Sequence, residues 1–495
     1  MSQFGDYLRK LLDERNLSIS ELSRISGVER TSLQKSITGN RMLSHDAVEN
    51  LIWSLQLTPE ESEKLRYFYE IFFVGEDKYK SRRIIRRMLE NLAALDTDEP
   101  AAGWMYLKAS VREAEGGTFD GKTIIEGKNN VILLVQSVFE REIGQPDAGV
   151  EMSIPADMPF FNEYLFYLFK RKKARVRITQ IIAIQRNKTE KSLNFHSLEC
   201  FAELLPLCLI SDRQYYPYYY YDTSVASLYT DPFPYFVVTG DRVLCLSADG
   251  DRALLLKGVE YARFYRKHFH ALKRQCHTLV NYSEGLFSSF EEYSRVYDME
   301  NMYVCTYQPC FACEYGDDDI RRKIRKDFPC CEEITEACVS WLSRLRNVGM
   351  YHSVFKQEGL NSFMEEGRID DFPEIMEEIT LEERLELLER LIDSVESERR
   401  TSVRMFNEKL FTYPSFITLI ASLKTGVGIF TTSRFKHGGP MICVHVHEPD
   451  VSEAFYDFML NLPASEITCS KEETLAYLRE VYRKYAQNCD VFYRL

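Results

Sequence analysis

The chain has 495 residues, 45% of them hydrophobic, 13 cysteines and a formal net charge of −13. That length exceeds what one hydrophobic core organises, so two to four domains are expected, and the acidic balance repels polyanions at long range, which confines any phosphate contact to local clusters. No apolar run approaches the ~20 residues that span a bilayer, and the start of the chain lacks a basic segment followed by an apolar one, so the expectation is a cytoplasmic protein with no membrane partner and, in a reducing compartment, no disulfides.

In chain order, Phe4, Tyr7, Leu8, Leu11 and Leu12 recur at helical spacing, and that helix ends near Arg15-Asn16. Ser18 and Glu21 have the S-x-x-E spacing of a capping box and start a second helix with Leu22 and Ile25 on its apolar side. Gly27 suits the left-handed end of that helix, and Leu33 and Ile37 bury one face of the next. Arg30, Thr31, Gln34, Lys35 and Thr38 are left facing outward. Arg and Gln match guanine and adenine edges in the major groove, so Arg30, Thr31 and Gln34 are the expected base-reading residues. Ser18, Ser20, Ser32, Lys35 and Arg41 are the expected phosphate contacts. Ser44 caps a fourth helix carrying Val48, Leu51, Ile52 and Leu55, and Thr58-Pro59-Glu60-Glu61 opens a fifth with Leu65, Phe68, Tyr69 and Phe72 inside.

Leu22, Gly27, Val28, Leu33, Gly39 and the Leu-Gln-Leu-Thr-Pro-Glu-Glu run from Leu55 resemble the Cro/repressor-type helix-turn-helix family, the XRE-like bacterial and phage regulators, over residues 4–75. The resemblance implies sequence-specific binding to double-stranded DNA. One departure stands out: many members carry Gln after the cap of the first motif helix, where it helps hold phosphate, and this chain has Ile19. Ser18 or Ser20 would have to take that contact. Residues 1–95 are close to neutral, with fifteen Lys and Arg against fourteen Asp and Glu. Phosphate contact is therefore expected beside Lys35 and Arg41, while the basic run Lys78-Tyr-Lys-Ser-Arg-Arg-Ile-Ile-Arg-Arg87 reads as a solvated connecting helix with Ile84, Ile85, Met88 and Leu89 inward, with a place along the DNA backbone as the alternative.

A break falls at Asp96-Thr-Asp-Glu-Pro100, and the pattern beyond it changes to strands alternating with helices. Residues 131–135 read as a strand or buried helix, 150–154 as a strand, 159–170 as an aromatic-rich helix and 175–184 as a strand, which suggests a parallel βαβ unit. Residues 234–247 read as a hairpin around Gly240-Asp241, and 259–280 as a helix. Strand-helix-strand order over residues 125–280 is faintly similar to the phospholipase D-like fold. Those enzymes need His-x-Lys followed by Asp, and no such triplet occurs; His268-Phe-His270 followed by Lys273 has the wrong spacing and a helical setting. Phosphodiesterase chemistry is not expected.

The tyrosine run from Tyr215 to Tyr221 reads as an edge strand at an interface, with a ligand pocket or base stacking as the alternative. Cys310-x-x-Cys313 with Cys330-Cys331 approaches a zinc-ribbon spacing, but adjacent cysteines point apart, so no metal is expected there. His445-Val-His447 puts two rings on one side of a strand over residues 441–446, without a nearby third ligand. From about residue 293 a third region begins, with a helix capped by Thr380-Leu-Glu-Glu383, strands at 416–423 and 426–431, and helices at 452–460 and 470–485. It holds no glycine-rich phosphate loop, no G-x-S-x-G and no H-E-x-x-H.

The expected architecture is multidomain: an all-α helix-turn-helix domain at 1–76, a basic connecting helix and linker at 77–99, an α/β domain at 100–285 with the phospholipase D-like likeness, and a C-terminal mixed α/β domain at 286–495. The expected protein is a transcriptional regulator that binds an inverted repeat as a homodimer. Its large body is expected to sense a small-molecule effector or to assemble, not to act as an enzyme, and no cofactor is implied. The alternative is a DNA- or partner-recruited enzyme, or a phage-defence component, with an unrecognised active site.

Overall fold

The computed structural model describes residues 2–96, 123–185, 195–222, 231–282, 301–347, 349–371, 373–398, 401–422, 424–436 and 441–492. They fall into two compact units that divide between Arg83 and Ile84. The first is all-helical: α1 (Gln3–Glu14), α2 (Ile19–Ser26), α3 (Arg30–Ile37), α4 (His45–Ser54), α5 (Pro59–Val74) and the start of α6 (Glu76–Ala93). Its helix starts are written in side chains. Ser2, Ser18, Ser44 and Thr58 each accept a bond from a first-turn amide, and the Glu21 and Glu61 carboxylates accept in turn from the backbone amides of Ser18 and Thr58. Phe4, Leu8, Leu22, Leu33, Ile37, Leu51 and Leu65 are wholly buried in its core. A Cβ on Gly5 would stand 2.0 Å from the Ile37 carbonyl oxygen, so only glycine lets α1 lie this close to α3.

The second unit begins at Ile84, inside α6 and within the stretch 77–99 expected to connect the domains. Ile85, Met88, Leu89 and Leu92 are buried in the body's core, and Arg86 donates to the Leu410 carbonyl and pairs with Glu466. Half of the basic run is thus committed to packing, as its apolar spacing implied.

The body contains two mixed sheets. The first comprises β1 (Ile124–Glu126), β2 (Gly149–Ser153), β3 (Arg177–Gln185), β4 (Tyr215–Asp222), β5 (Tyr235–Val238), β6 (Arg242–Leu246), β7 (Arg252–Lys257) and β8 (His277–Thr278), in the order β1-β7-β6-β5-β2-β3-β4-β8. The second comprises β9 (Asn281–Tyr282), β10 (Asn301–Thr306), β11 (Met350–Phe355), β12 (Thr401–Met405), β13 (Ile417–Ser422), β14 (Gly426–Thr431) and β15 (Cys443–Val446), in the order β12-β11-β10-β13-β14-β15-β9. Helices of the first lobe are α7 (Lys128–Ile143), α8 (Pro159–Lys170), α9 (Phe195–Ile210) and α10 (Val259–Lys273). Those of the second are α11 (Asp317–Lys323), α12 (Cys331–Arg346), α13 (Gln357–Glu366), α14 (Leu381–Ser397), α15 (Pro449–Asn461) and α16 (Lys471–Phe492).

Six strands of each sheet form the same figure. β2, β3 and β4 are parallel neighbours, as are β10, β11 and β12. β5, β6 and β7 then extend the sheet antiparallel from β2, just as β13, β14 and β15 extend it from β10. A helix follows the last strand in both, α10 and α15. The body is therefore an internal duplication, which sequence periodicity did not disclose. Both hairpins even open on an aromatic-Pro-x-Phe run, Phe233-Pro-Tyr-Phe236 and Tyr413-Pro-Ser-Phe416.

The lobes share one core. α9 lies on β3 and β4, α15 lies on β13 and β14, and Phe201 meets Phe455 edge to face between them, 6.0 Å apart at the centroids. Tyr221 donates to Glu448 across the lobes at 2.5 Å, and Arg213 donates to the Met441 carbonyl. The predicted βαβ unit is β2-α8-β3. Residues 131–135 settle as helix within α7, and the helix predicted over 259–280 stops at Lys273 because β8 and β9 follow. The tyrosine strand is not at the edge as expected: short β8 covers it, and Tyr215 and Tyr219 are buried.

Candidate functional site

Two places bring together side chains able to do chemistry. In the first unit, α2 ends at Gly27, whose φ of 70° is the left-handed turn that a Cβ would strain, and α3 begins three residues later. Leu33, Ser36 and Ile37 face in. Arg30, Gln34, Lys35 and Arg41 are exposed and, among the described residues, have no hydrogen-bond or ion-pair partner. Other residues expected at this face are occupied. Thr31 and Ser32 donate to the two oxygens of Glu29, at 2.5 and 3.0 Å, and Ser18 is held in its capping box with Glu21. Ser20 is exposed. Glu29, which the sequence reading passed over, stands at the front of α3, and the bonds from Thr31 and Ser32 hold its carboxyl below the usual range.

The second place is a cavity of about 110 Å³ at the carboxyl end of β10. Open α/β sheets bind ligands beyond the carboxyl ends of their strands, and β10 is where the parallel and antiparallel halves of this sheet meet. Its walls are apolar, with Phe311, Ile320, Ile324, Trp341, Leu342 and Met376 among them. Its polar side is held together by four distant segments. Gln308, beyond β10, donates to the Arg368 carbonyl and accepts from the Asp370 amide, fixing the loop that carries Asp370 and Asp371. Thr418 on β13 donates to Asp371 at 2.8 Å. Arg434, after β14, donates to Asp370 at 2.6 Å, reaches Glu366 and Ser362, and lies over the Tyr307 ring at 4.7 Å. A Cβ on Gly359 would meet the Tyr307 carbonyl oxygen at 1.9 Å, so α13 can press on this rim only through glycine.

Burial raises both carboxyls, Asp371 to about 6. The two differ in company. Asp370 has Arg434, whereas Asp371 has the Thr418 hydroxyl as its one side-chain partner among the described residues. Tyr315 also lines the cavity; it is buried, its hydroxyl has no partner among the described residues, and burial pushes its pKa up. A carboxyl titrating near neutrality at the end of an apolar cavity can exchange a proton or hold a cation. None of these residues was expected as a site. The one trace is the acid pair Asp370-Asp371 between Ile369 and Phe372, an odd place for two charges.

Other expected features resolve differently. Cys310 and Cys313 are withdrawn from water, which pushes the Cys310 thiol up to about 12, while Cys330 is exposed at the start of α12 and Cys331 is its first residue. Among the described residues no three metal-ligating side chains gather. His445 is buried and bonds the Thr425 carbonyl, with the His447 ring 4.1 Å away. His268, His270 and Lys273 do lie on a helix; His270 meets Glu151 at 2.7 Å and Lys273 covers the Tyr218 ring. No helix among the described residues is long and apolar enough to cross a membrane.

No family model and no curated protein matches the chain. Among solved structures it is similar to phosphatidylserine synthase of Haemophilus influenzae Rd KW20, at 11% identity and a TM-score of 0.23, covering 77% of this chain and 98% of that one. It is also similar to polyphosphate kinase from Porphyromonas gingivalis, at 10% identity and a TM-score of 0.21, covering 87% of this chain and 65% of that one. Both are enzymes, which corrects the expectation of a body that is not one.

Proposed function

We propose that the chain is a sequence-specific DNA-binding regulator whose XRE-like helix-turn-helix head reads duplex DNA. The observation that carries this reading is the outer face of α3, where the side chains of Arg30, Gln34 and Lys35 are exposed and have no hydrogen-bond or ion-pair partner among the described residues, while the opposite face is locked into the core. A two-helix device leaves such a face free when the groove is to supply its partners. Arg30 and Gln34 read base edges, and Lys35 and Arg41 hold phosphate. Glu29 orients Thr31 and Ser32, so these two contact DNA only if they turn away from its carboxylate. One short helix reads too few base pairs to find a site in a genome, so the protein acts as a homodimer on an inverted repeat. Footprinting the full chain on genomic fragments tests this: discrete protected inverted repeats are expected, and protection without sequence preference would refute it.

A second reading is favoured by Asp371: the head carries to DNA a body that works on a small molecule in the β10 cavity. Mass spectrometry of a metabolite extract incubated with the protein and with Asp371→Asn distinguishes the two. A substrate consumed by the parent chain alone supports an enzyme; an unchanged extract leaves the regulator reading.

A further inference from the structure

We infer that the cavity at the carboxyl end of β10 binds a small organic cation, an apolar ring or short chain bearing a protonated amine. The inference does not depend on the head binding DNA. Its walls supply the apolar half of the match: Phe311, Ile320, Ile324, Trp341, Leu342 and Met376 enclose about 110 Å³, close to the ~150 Å³ of a dry cavity that accepts a benzene ring.

The charge comes from an imbalance at the polar end. Two carboxyls stand side by side and one guanidinium serves them, because Arg434 turns to Asp370 and to Glu366. Asp371 is left with a neutral hydroxyl donor, Thr418, and no cation among the described residues. A carboxylate withdrawn from water next to a second carboxylate is costly unless a positive charge joins it. An ammonium group satisfies that need and takes its apolar body into the cavity. Tyr315 also lines the cavity, and its buried hydroxyl has no partner among the described residues.

The other ionisable groups around Asp371 are Asp370 with its Arg434, the Cys310 thiol and the Tyr413 phenol. Burial keeps the thiol and the phenol protonated near neutrality, while Asp371 gains and loses charge around pH 6.

The test is calorimetric titration of the full chain with benzylamine and with benzyl alcohol, which share a ring and differ in charge. At pH 8 the amine should bind at least about tenfold tighter than the alcohol, as expected for a charge-assisted bond. Asp371→Asn should remove that difference, and Ile320→Trp, which fills the cavity, should abolish both. Should Asp371→Asn fail to fold, the pH dependence of the parent chain decides. Benzylamine, protonated throughout, should weaken as pH falls from 8 to 5 while benzyl alcohol stays constant. Equal affinities at pH 8, parallel pH curves, or no binding of either molecule would overturn the inference.

Discussion

Replacing Gly5 by alanine isolates what holds the recognition helix in place. The added Cβ would lie 2.0 Å from the Ile37 carbonyl oxygen and 2.9 Å from its Cα, whereas real contacts of this kind stay beyond 3.0 Å. Both obstacles are backbone, so α1 and α3 must part by roughly an ångström, a gap that forfeits about a quarter to a half of each dispersion contact. Phe4, Leu8, Leu33 and Ile37 are all wholly buried at this packing. Overpacking of this kind costs ~1–3 kcal/mol, and the rigidity of both partners points to about 2–3. For a domain of this size each kcal/mol lowers Tm by ~4–8 °C. Gly27→Ala is the internal control. Nothing lies within 4 Å of its Cβ, so it carries only the strain of a φ of +70°, about 1 kcal/mol. Calorimetry of the full chain should therefore show the first unit's transition falling by more than 10 °C for Gly5→Ala and by well under 10 °C for Gly27→Ala, with the body's transition unmoved. Equal shifts, or a larger shift for Gly27→Ala, would refute the steric account of α1 against α3.

At the DNA face, Arg30→Ala should cost ~1–3 kcal/mol at the cognate site and relax its sequence preference, whereas Lys35→Ala should weaken all duplexes alike; equal loss on specific and random DNA for Arg30→Ala counts against base readout. A fragment spanning residues 1–76 should bind the operator far more weakly than the full chain, and sedimentation of the operator complex should show two copies; a bound monomer would contradict the dimer. In the body, Arg434→Met strands the buried Asp370. Removing one partner of a buried pair costs ~3–5 kcal/mol, and the partial exposure of Arg434 lowers that to about 2–3. Asp370→Asn in the Arg434→Met background should recover part of the loss in urea titrations, and no recovery would mean that Arg434 acts through other contacts. Asp371 binds its proton more tightly in the folded state, up to about pH 6. Its contribution is therefore present at low pH and declines as pH rises from roughly 4, its unfolded value, to 6. The stability of the parent chain relative to Asp371→Asn should fall across that window; a flat difference would place the carboxyl in water.

The first unit was legible in the sequence because its information is local. A capping residue and its partner lie three positions apart, an apolar stripe repeats every three or four, and a left-handed turn asks for glycine where Gly27 stands; each acts within one or two helical turns. Short-range patterning also gave the β2-α8-β3 unit, the Gly240-Asp241 hairpin and the capped start of α14. What local patterning did not reveal is pairing. The duplication of the body lies in which strand neighbours which, and β10 meets β13 across more than a hundred residues with only a four-residue aromatic-Pro-x-Phe run repeated between the lobes. Burial on both faces of these strands replaces alternation with continuous apolar runs, so their order leaves little trace in the sequence. The same holds for the cavity. Thr418, Arg434 and Tyr315 are each ordinary where they stand in the chain, and only the acid pair Asp370-Asp371 beside Ile369 stands out. They become a site because a parallel strand, an antiparallel hairpin and two loops end at one place, where loss of water changes what a carboxyl does.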